Sequence, residues 1–107
     1  MVLRRRLGRL ARFRGALERA FPVPVDLARN AADDTLICRC EAITAGEIRH
    51  AASELGALEI NKAKALARVG MGRCQGRFCG YAGAELIAAT LDVTLEEAGR
   101  LRGQAPA

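Results

Sequence analysis

Apolar residues recur every three to four positions along most of the chain, which is the spacing of helices that bury one face. The first such stretch runs from about Leu3 to Ala20 and places leucines on one side and arginines around the rest. The segment Phe21-Pro22-Val23-Pro24 ends it, because proline lacks an amide hydrogen and restricts the residue before it to extended backbone. We therefore expect an amphipathic basic helix at the N-terminus.

The same spacing predicts four shorter helices in the rest of the chain. Two of them begin at the capping boxes Thr44-Ala45-Gly46-Glu47 and Thr94-Leu95-Glu96-Glu97, in which threonine and glutamate each satisfy a free backbone amide of the first turn. The others run from about Glu59 to Val69 and from about Tyr81 to Thr90. Strand-like alternation is not evident in the sequence, so the predicted fold class is all-α, with short helices that surround four cysteines.

Charge divides the chain into an arm and a body. Residues 1–24 contain seven arginines and one glutamate, whereas residues 25–107 contain ten basic and eleven acidic side chains. The net charge of +5 thus belongs to the arm and does not mark the body as a nucleic-acid binder. We expect the arm, 1–24, to dock onto a larger protein, with a solvated helix, nucleic acid or an anionic membrane as alternatives. Residues 25–35 are expected to be a linker and 36–103 the folded domain.

The N-terminus is interrupted by arginine at nearly every turn and resembles neither a secretory signal nor a membrane span. We therefore expect a cytoplasmic protein with no membrane span. Reducing conditions there disfavour disulfides, and the cysteines are better explained as metal ligands. The initial Met1 favours a separate subunit, and the tail of a longer flavoprotein is the alternative.

The four cysteines form two tight pairs, Cys38-Arg39-Cys40 and Cys74-Gln75-Gly76-Arg77-Phe78-Cys79, with thirty-three residues between them. Four thiolates from two short segments suit either a tetrahedral zinc ion or an iron–sulfur cluster. Zinc sites usually separate paired cysteines by two to four residues, so the one-residue gap after Cys38 is less usual for zinc. The common ferredoxin patterns, with three clustered cysteines and one distant, do not fit either. Spacing alone leaves both metals open.

Three motifs resemble the [2Fe–2S]-binding domain related to bacterioferritin-associated ferredoxin. They are Ile37-Cys38-Arg39-Cys40-Glu41, Thr44-Ala45-Gly46-Glu47-Ile48, and Gly70-Met71-Gly72-Arg73-Cys74-Gln75-Gly76-Arg77-Phe78-Cys79, and the resemblance covers roughly residues 36–90. It implies a small helix-turn-helix-like fold around a [2Fe–2S] cluster. It also implies that the metal and cofactor ligands are Cys38, Cys40, Cys74 and Cys79.

The four residues between Cys74 and Cys79 depart from the free-standing ferredoxin, which has two. The longer gap resembles the form of the domain found with flavin-dependent opine, hydroxyproline and amino-acid dehydrogenases. The segment from Gly8 to Phe21 is similar to the stretch that precedes the domain in that group. The resemblance implies a non-catalytic electron-transfer subunit whose partners are flavoprotein subunits with FAD, or with FAD and FMN. A diffusible ferredoxin-like donor and a zinc-stabilised nucleic-acid-binding module are the alternatives.

Other candidate residues give weaker indications of function. The loop glycines Gly72, Gly76 and Gly80 are placed to let backbone amides reach cluster sulfurs. The arginines that flank the ligands, Arg39, Arg73 and Arg77, are expected either to offset the negative charge of a cluster or to be solvated surface. The single histidine lies in a predicted helix without a partnering ligand, and a surface or packing role is expected for it.

Overall fold

The structure, a computed structural model, describes residues 2–24 and 26–103; Met1 and Val25, which the predicted segments include, lie outside these ranges. The elements in chain order are α1 (Val2–Ala20), β1 (Leu36–Cys38), β2 (Ile43–Thr44), α2 (Ala45–Ser53), α3 (Ile60–Ala67), α4 (Gly80–Leu91) and α5 (Leu95–Ala98). The prediction of a mostly helical chain is confirmed. None of the helices in the described ranges is both long enough and apolar enough to cross a membrane.

The apolar stripe of helix α1 is exposed to solvent. None of its described side chains is buried, and Leu7, Leu10 and Phe13 are each more than half exposed. The helix ends as predicted, with a last turn closed by the Phe21 amide on the Leu17 carbonyl at 2.8 Å. The stripe therefore takes no part in the core of the described domain.

The segment that follows α1 is held against the domain by side chains. The Asp26 amide donates to Glu85 Oε1 of α4 at 3.0 Å. The Arg49 guanidinium, on α2, pairs with Asp33 and donates to the carbonyls of Arg29 and Ala31 at 3.1 and 2.6 Å. Residues 26–33 thus form a series of turns that is anchored to two helices of the domain.

A two-stranded antiparallel sheet corrects the all-α prediction. Leu36 of β1 faces Thr44 of β2, Cys38 faces Ile43, and the register is irregular between the two pairs. With three and two residues, the strands are too short to show the alternation by which strands are recognised in a sequence. Their pairing closes the turn that contains Cys40, and Ala42 in that turn has a left-handed backbone with φ of +55°.

Both predicted capping boxes are present. The Thr44 hydroxyl accepts from the Glu47 amide while the Glu47 carboxylate accepts from the Thr44 amide, and Thr94 and Glu97 repeat the arrangement at α5. Helix α3 is capped by Glu59, whose carboxylate accepts from the amides of Asn61 and Lys62. These caps satisfy amides that a short helix leaves without partners.

The core lies between α2, α3 and α4 and is sealed by the C-terminal segment. Its largest fully buried side chains are Ile48, Ile60, Val69, Leu86, Ile87 and Leu101, together with two of the cysteines. Asn61 holds the C-terminal segment in place, because its side chain donates to the Arg100 carbonyl and accepts from the Arg102 amide, both at 2.8 Å. Leu101, between those two residues, lies against Gly70 at the start of the second cysteine loop.

Candidate metal centre

Each cysteine is placed by a different local structure. Cys38 ends β1, and Cys40 lies in the turn between the strands. Cys74 lies in a loop of turns in which Gln75 and Gly76 have positive φ values of +53° and +79°. Cys79 occupies the N-cap position of α4. Two loops separated by α2 and α3 therefore carry the four cysteines.

The thiols meet as two pairs, each formed by one cysteine from either loop. Cys40 hydrogen-bonds with the sulfur of Cys74, and Cys79 donates to the sulfur of Cys38. All four cysteines are free of disulfides. Within residues 2–24 and 26–103, no group of three or more histidine, cysteine or carboxylate side chains is gathered closely enough to hold a metal ion.

The two pairs differ in depth. Cys38 and Cys79 are each 1% exposed and belong to the hydrophobic core. Cys40 is exposed and Cys74 is half-buried. We call Cys38 and Cys79 the inner pair, and Cys40 and Cys74 the outer pair.

Gly72 brings the two loops into contact. A Cβ atom added to this buried residue would overlap the side chain of Cys40 and would lie 2.9 Å from its sulfur. Only glycine permits so close an approach of backbone to side chain. The Gly72 carbonyl also accepts from the Gln75 amide at 2.8 Å, which starts the turn that contains Cys74.

Backbone amides surround the sulfur of Cys74. The Phe78 and Gly76 amides donate to it and, with smaller contributions from the Cys40 thiol and the Arg77 amide, lower the pKa of the Cys74 thiol despite partial desolvation. Among the predicted amide donors, Gly76 thus reaches a cysteine sulfur. The Gly80 amide instead donates to the Gly76 carbonyl at 2.7 Å.

The inner pair lies in a less polar environment. Burial raises the pKa of the Cys79 thiol to about 12, and the neighbouring Cys38 and Cys74 add to the shift. The Gly70 amide donates to Cys79 and partly opposes this shift. A thiol in such a place is inert unless a metal ion replaces its proton, since coordination to a metal favours the thiolate.

An ion pair near the outer pair could not be seen in the sequence. Glu41 follows Cys40 directly, and its carboxylate accepts from Arg68 Nε at 2.9 Å. Arg68 ends α3 with a left-handed backbone, φ of +64°, and lies twenty-seven residues further along the chain. No spacing pattern signals such a contact, because it arises only when the C-terminus of α3 meets the first cysteine loop.

The arrangement fits a binuclear cluster. A [2Fe–2S] cluster has two irons and takes four thiolates, so two cross-loop pairs of free thiols suit it better than they suit a single metal ion, which needs three or more ligands gathered together. Amide donors already point at sulfur, which is how proteins stabilise cluster thiolates. His50, by contrast, is exposed on α2 and belongs to neither cysteine loop.

Comparison with known proteins supports the same cofactor. The sequence profile of the BFD-like [2Fe-2S] binding domain matches residues 36–89, which is half of the chain and includes all four cysteines. No solved structure matches the chain.

Several curated proteins are similar to this chain. An opine oxidase subunit from Rhizobium meliloti is 48% identical over 75 residues, which cover 70% of this chain and 16% of that protein. The hydrogen cyanide synthase subunit HcnB of Pseudomonas aeruginosa is 43% identical over 86 residues, 79% of this chain and 18% of the relative. A glycerol 3-phosphate dehydrogenase of Caloramator mitchellensis is 46% identical over 63 residues, 58% of this chain and 13% of the relative.

The chain spans less than a fifth of the length of each of these relatives. With two loops that bring four free thiols together in pairs and a profile match over half of its residues, the chain belongs to the family of BFD-like [2Fe-2S] binding domains.

Proposed function

We propose that this chain is the [2Fe–2S] electron-transfer subunit of a flavin-dependent dehydrogenase or oxidase that acts on an amino acid, an opine or a similar secondary amine. The observation that carries the proposal is the meeting of two cysteine loops in a family of cluster-binding domains. The relatives named as subunits of opine oxidase and hydrogen cyanide synthase support the choice of reaction class.

The proposed ligands are Cys38, Cys40, Cys74 and Cys79. When bound, a [2Fe–2S] cluster accepts and releases single electrons. The protein's own contribution is to hold four thiolates, to exclude water from the inner pair and to aim amides at Cys74. Bond making and breaking would then belong to the flavoprotein partners, with FAD or with both FAD and FMN.

Helix α1 is proposed as the element that docks onto the partner. Its exposed leucines and phenylalanine offer an apolar stripe, and its arginines offer charge at the edges. In this proposal residues 1–24 form the docking arm and 36–103 the cluster domain. The anchored turns of 26–33 connect them, within the predicted linker 25–35. We place the protein in the cytoplasm, where reducing conditions keep the cysteines available as ligands.

Metal and sulfide analysis tests the cofactor assignment. Full-length protein purified without oxygen is expected to be brown and to contain two irons and two labile sulfides per chain, as the cluster requires. A flavoprotein is expected to purify with it when the genes are expressed together. Colourless protein loaded with zinc would contradict the proposal.

Cys40→Ala tests the ligand set. We expect the variant to lose most of its iron and to unfold at a lower temperature, because metal binding is coupled to folding. The control is Arg39→Gln, which changes the neighbouring exposed side chain in the same turn and is expected to retain both irons. An unchanged cluster and melting temperature in Cys40→Ala would remove Cys40 from the ligands.

A further inference from the structure

Because the two thiol pairs differ in burial, one side of the proposed cluster site lies nearer to the protein surface than the other. The two cysteines of the inner pair are each 1% exposed and are packed within the core, whereas Cys40 of the outer pair is exposed. Electron transfer between proteins is fastest where the redox group comes nearest to the surface. If the four cysteines bind the cluster, the shortest route out of the domain therefore passes over the outer pair.

The two loops that carry the outer pair also carry positive charge. Arg39, Arg73 and Arg77 are exposed, and each is adjacent in sequence to a cysteine or lies within the second loop. None of the three forms an ion pair with any residue that the structure describes, although Arg77 donates to the Cys74 carbonyl at 3.2 Å. The nearby carboxylate of Glu41 is already paired with Arg68. The two loops thus present unpaired cations on a body that, beyond the arm, has slightly more acidic than basic groups.

An exposed aromatic ring lies in the same loop. Phe78 is 89% exposed, the largest exposed fraction among the large apolar side chains described in the domain. Its backbone amide donates to Cys74, so the ring is tied to the outer pair by a short chain path. Large exposed aromatic side chains beside arginines are typical of residues that anchor protein interfaces.

We infer that the surface formed by Arg39, Arg73, Arg77 and Phe78 around the outer pair is the electron-exchange face, and that it docks onto an acidic protein surface with an apolar depression for Phe78. The inference rests on the proposed electron-transfer function. It assigns α1 and this face to separate tasks, anchoring and exchange. The arginines attract the acidic partner and hold the outer pair against it.

The first test measures the charge at the exit with small oxidants. Full-length protein is reduced with dithionite and mixed in stopped flow with anionic hexacyanoferrate(III) or cationic hexaamminecobalt(III). One electron leaves each reduced protein and one metal complex is reduced by one unit, and no bond forms between protein and oxidant. The ratio of the rate constant with the anion to that with the cation reports the local field, because a change in the protein's potential affects both reactions in the same direction.

The triple variant R39Q/R73Q/R77Q is expected to lower this ratio about tenfold at low ionic strength, and added salt is expected to shrink the difference. The matched control K62Q/K64Q/R100Q removes the same number of positive charges from α3 and the C-terminal segment. It is expected to change the ratio by less than about twofold, since none of these three residues belongs to a cysteine loop. Equal effects of the two triples would overturn the inference.

A single substitution at Phe78 tests the same surface even if the triple variant binds too little iron and sulfide to be measured. Phe78→Glu places a carboxylate on the face without removing an arginine, and it is expected to slow oxidation by the anion and speed oxidation by the cation. Phe78→Gln is the uncharged control. Identical rates for the two Phe78 variants would place the exit elsewhere on the molecule.

The second test uses a surface as large as a protein. A gold electrode coated with mixed carboxylate- and methyl-terminated chains presents an anionic, partly apolar plane. Wild-type protein is expected to exchange electrons with it directly, and R39Q/R73Q/R77Q to lose most of the current, while K62Q/K64Q/R100Q retains it. Equal currents from the two triple variants would contradict docking through this face.

Iron and sulfide are measured in every sample. A wild-type chain without a cluster would overturn the proposed function itself. If a chain with a complete cluster shows the same electron-transfer rates with and without these arginines, only the assignment of the exchange face is overturned.

Discussion

The contact between Gly72 and Cys40 shows how a single residue sets the spacing of the two loops. The Cβ and the sulfur of Cys40 occupy the space that a side chain at position 72 would need. The turn after it then carries Cys74 toward the same thiol. The absence of one methyl group therefore fixes the separation within the outer pair.

Gly72→Ala is expected to reduce the iron content and to destabilise the domain by about 1–3 kcal/mol, the usual cost of inserting an atom into a filled site. The measurements are iron per chain and thermal melting. Gly8→Ala is the control, since nothing lies within 4 Å of the position that its new Cβ would occupy on α1. A fully loaded, equally stable Gly72→Ala protein would show that the loops separate without cost.

At the scale of elements, the features that depend on residues close together in the sequence could be predicted. The capping boxes at Thr44 and Thr94 could be predicted because both partners lie within four residues. The strands could not, since three residues from Leu36 are too few for a pattern, and they form only when Ile43 returns beside Cys38. The cross-loop pairing of the thiols was equally inaccessible, because it depends on how α2 and α3 fold the chain back.

Helix α3 illustrates a cap that depends on pH. Burial alone would raise the pKa of Glu59, but hydrogen bonds from the Asn61 side chain and from the amides of Asn61 and Lys62, together with the charge of Arg102, hold it below its ordinary value of 4.5. The ionised carboxylate therefore stabilises the folded state above that value. This stabilisation is lost as the pH falls through the lower pKa of the folded state.

Glu59→Gln is expected to cost about 0.5–2 kcal/mol at neutral pH, the usual value of an N-cap. The difference from the wild-type protein should shrink as the pH falls below about 4.5. Urea unfolding of both proteins at a series of pH values measures it. Glu54→Gln, which removes an exposed carboxylate from the end of α2, is the control for the loss of charge. A difference that stays constant with pH would show that the charge of Glu59 does not contribute.

At the scale of the whole molecule, the chain separates an arm from a core. The described side chains of α1 remain outside the core, whereas the turns after Asp26 are tied to α2 and α4 by Arg49 and Glu85. The boundary between free and anchored chain thus lies at the segment Pro22-Val23-Pro24. The sequence indicated the end of the helix there but not the anchoring, which requires Arg49 to reach back across more than fifteen residues.

Deletion of residues 2–20 is expected to leave the free energy of unfolding within about 0.5 kcal/mol and the iron content unchanged, because surface changes away from packed groups have small effects. Association with a co-expressed flavoprotein is expected to be lost, as seen by size-exclusion chromatography. A large drop in melting temperature would mean that α1 packs on the domain in solution. An intact complex would assign docking to another surface.

The spacing of the two cysteine loops along the chain has a topological consequence. Thirty-three residues, including α2 and α3, lie between Cys40 and Cys74. With all four cysteines as ligands, metal–sulfur bonds would close this segment into a ring, as a disulfide does in a small secreted domain. By the loop-closure estimate, such a cross-link contributes between about 3 and 5 kcal/mol by restricting the unfolded chain. The cluster would then both carry the electron and cross-link the fold, so that loss of the cluster would lower redox capacity and stability together.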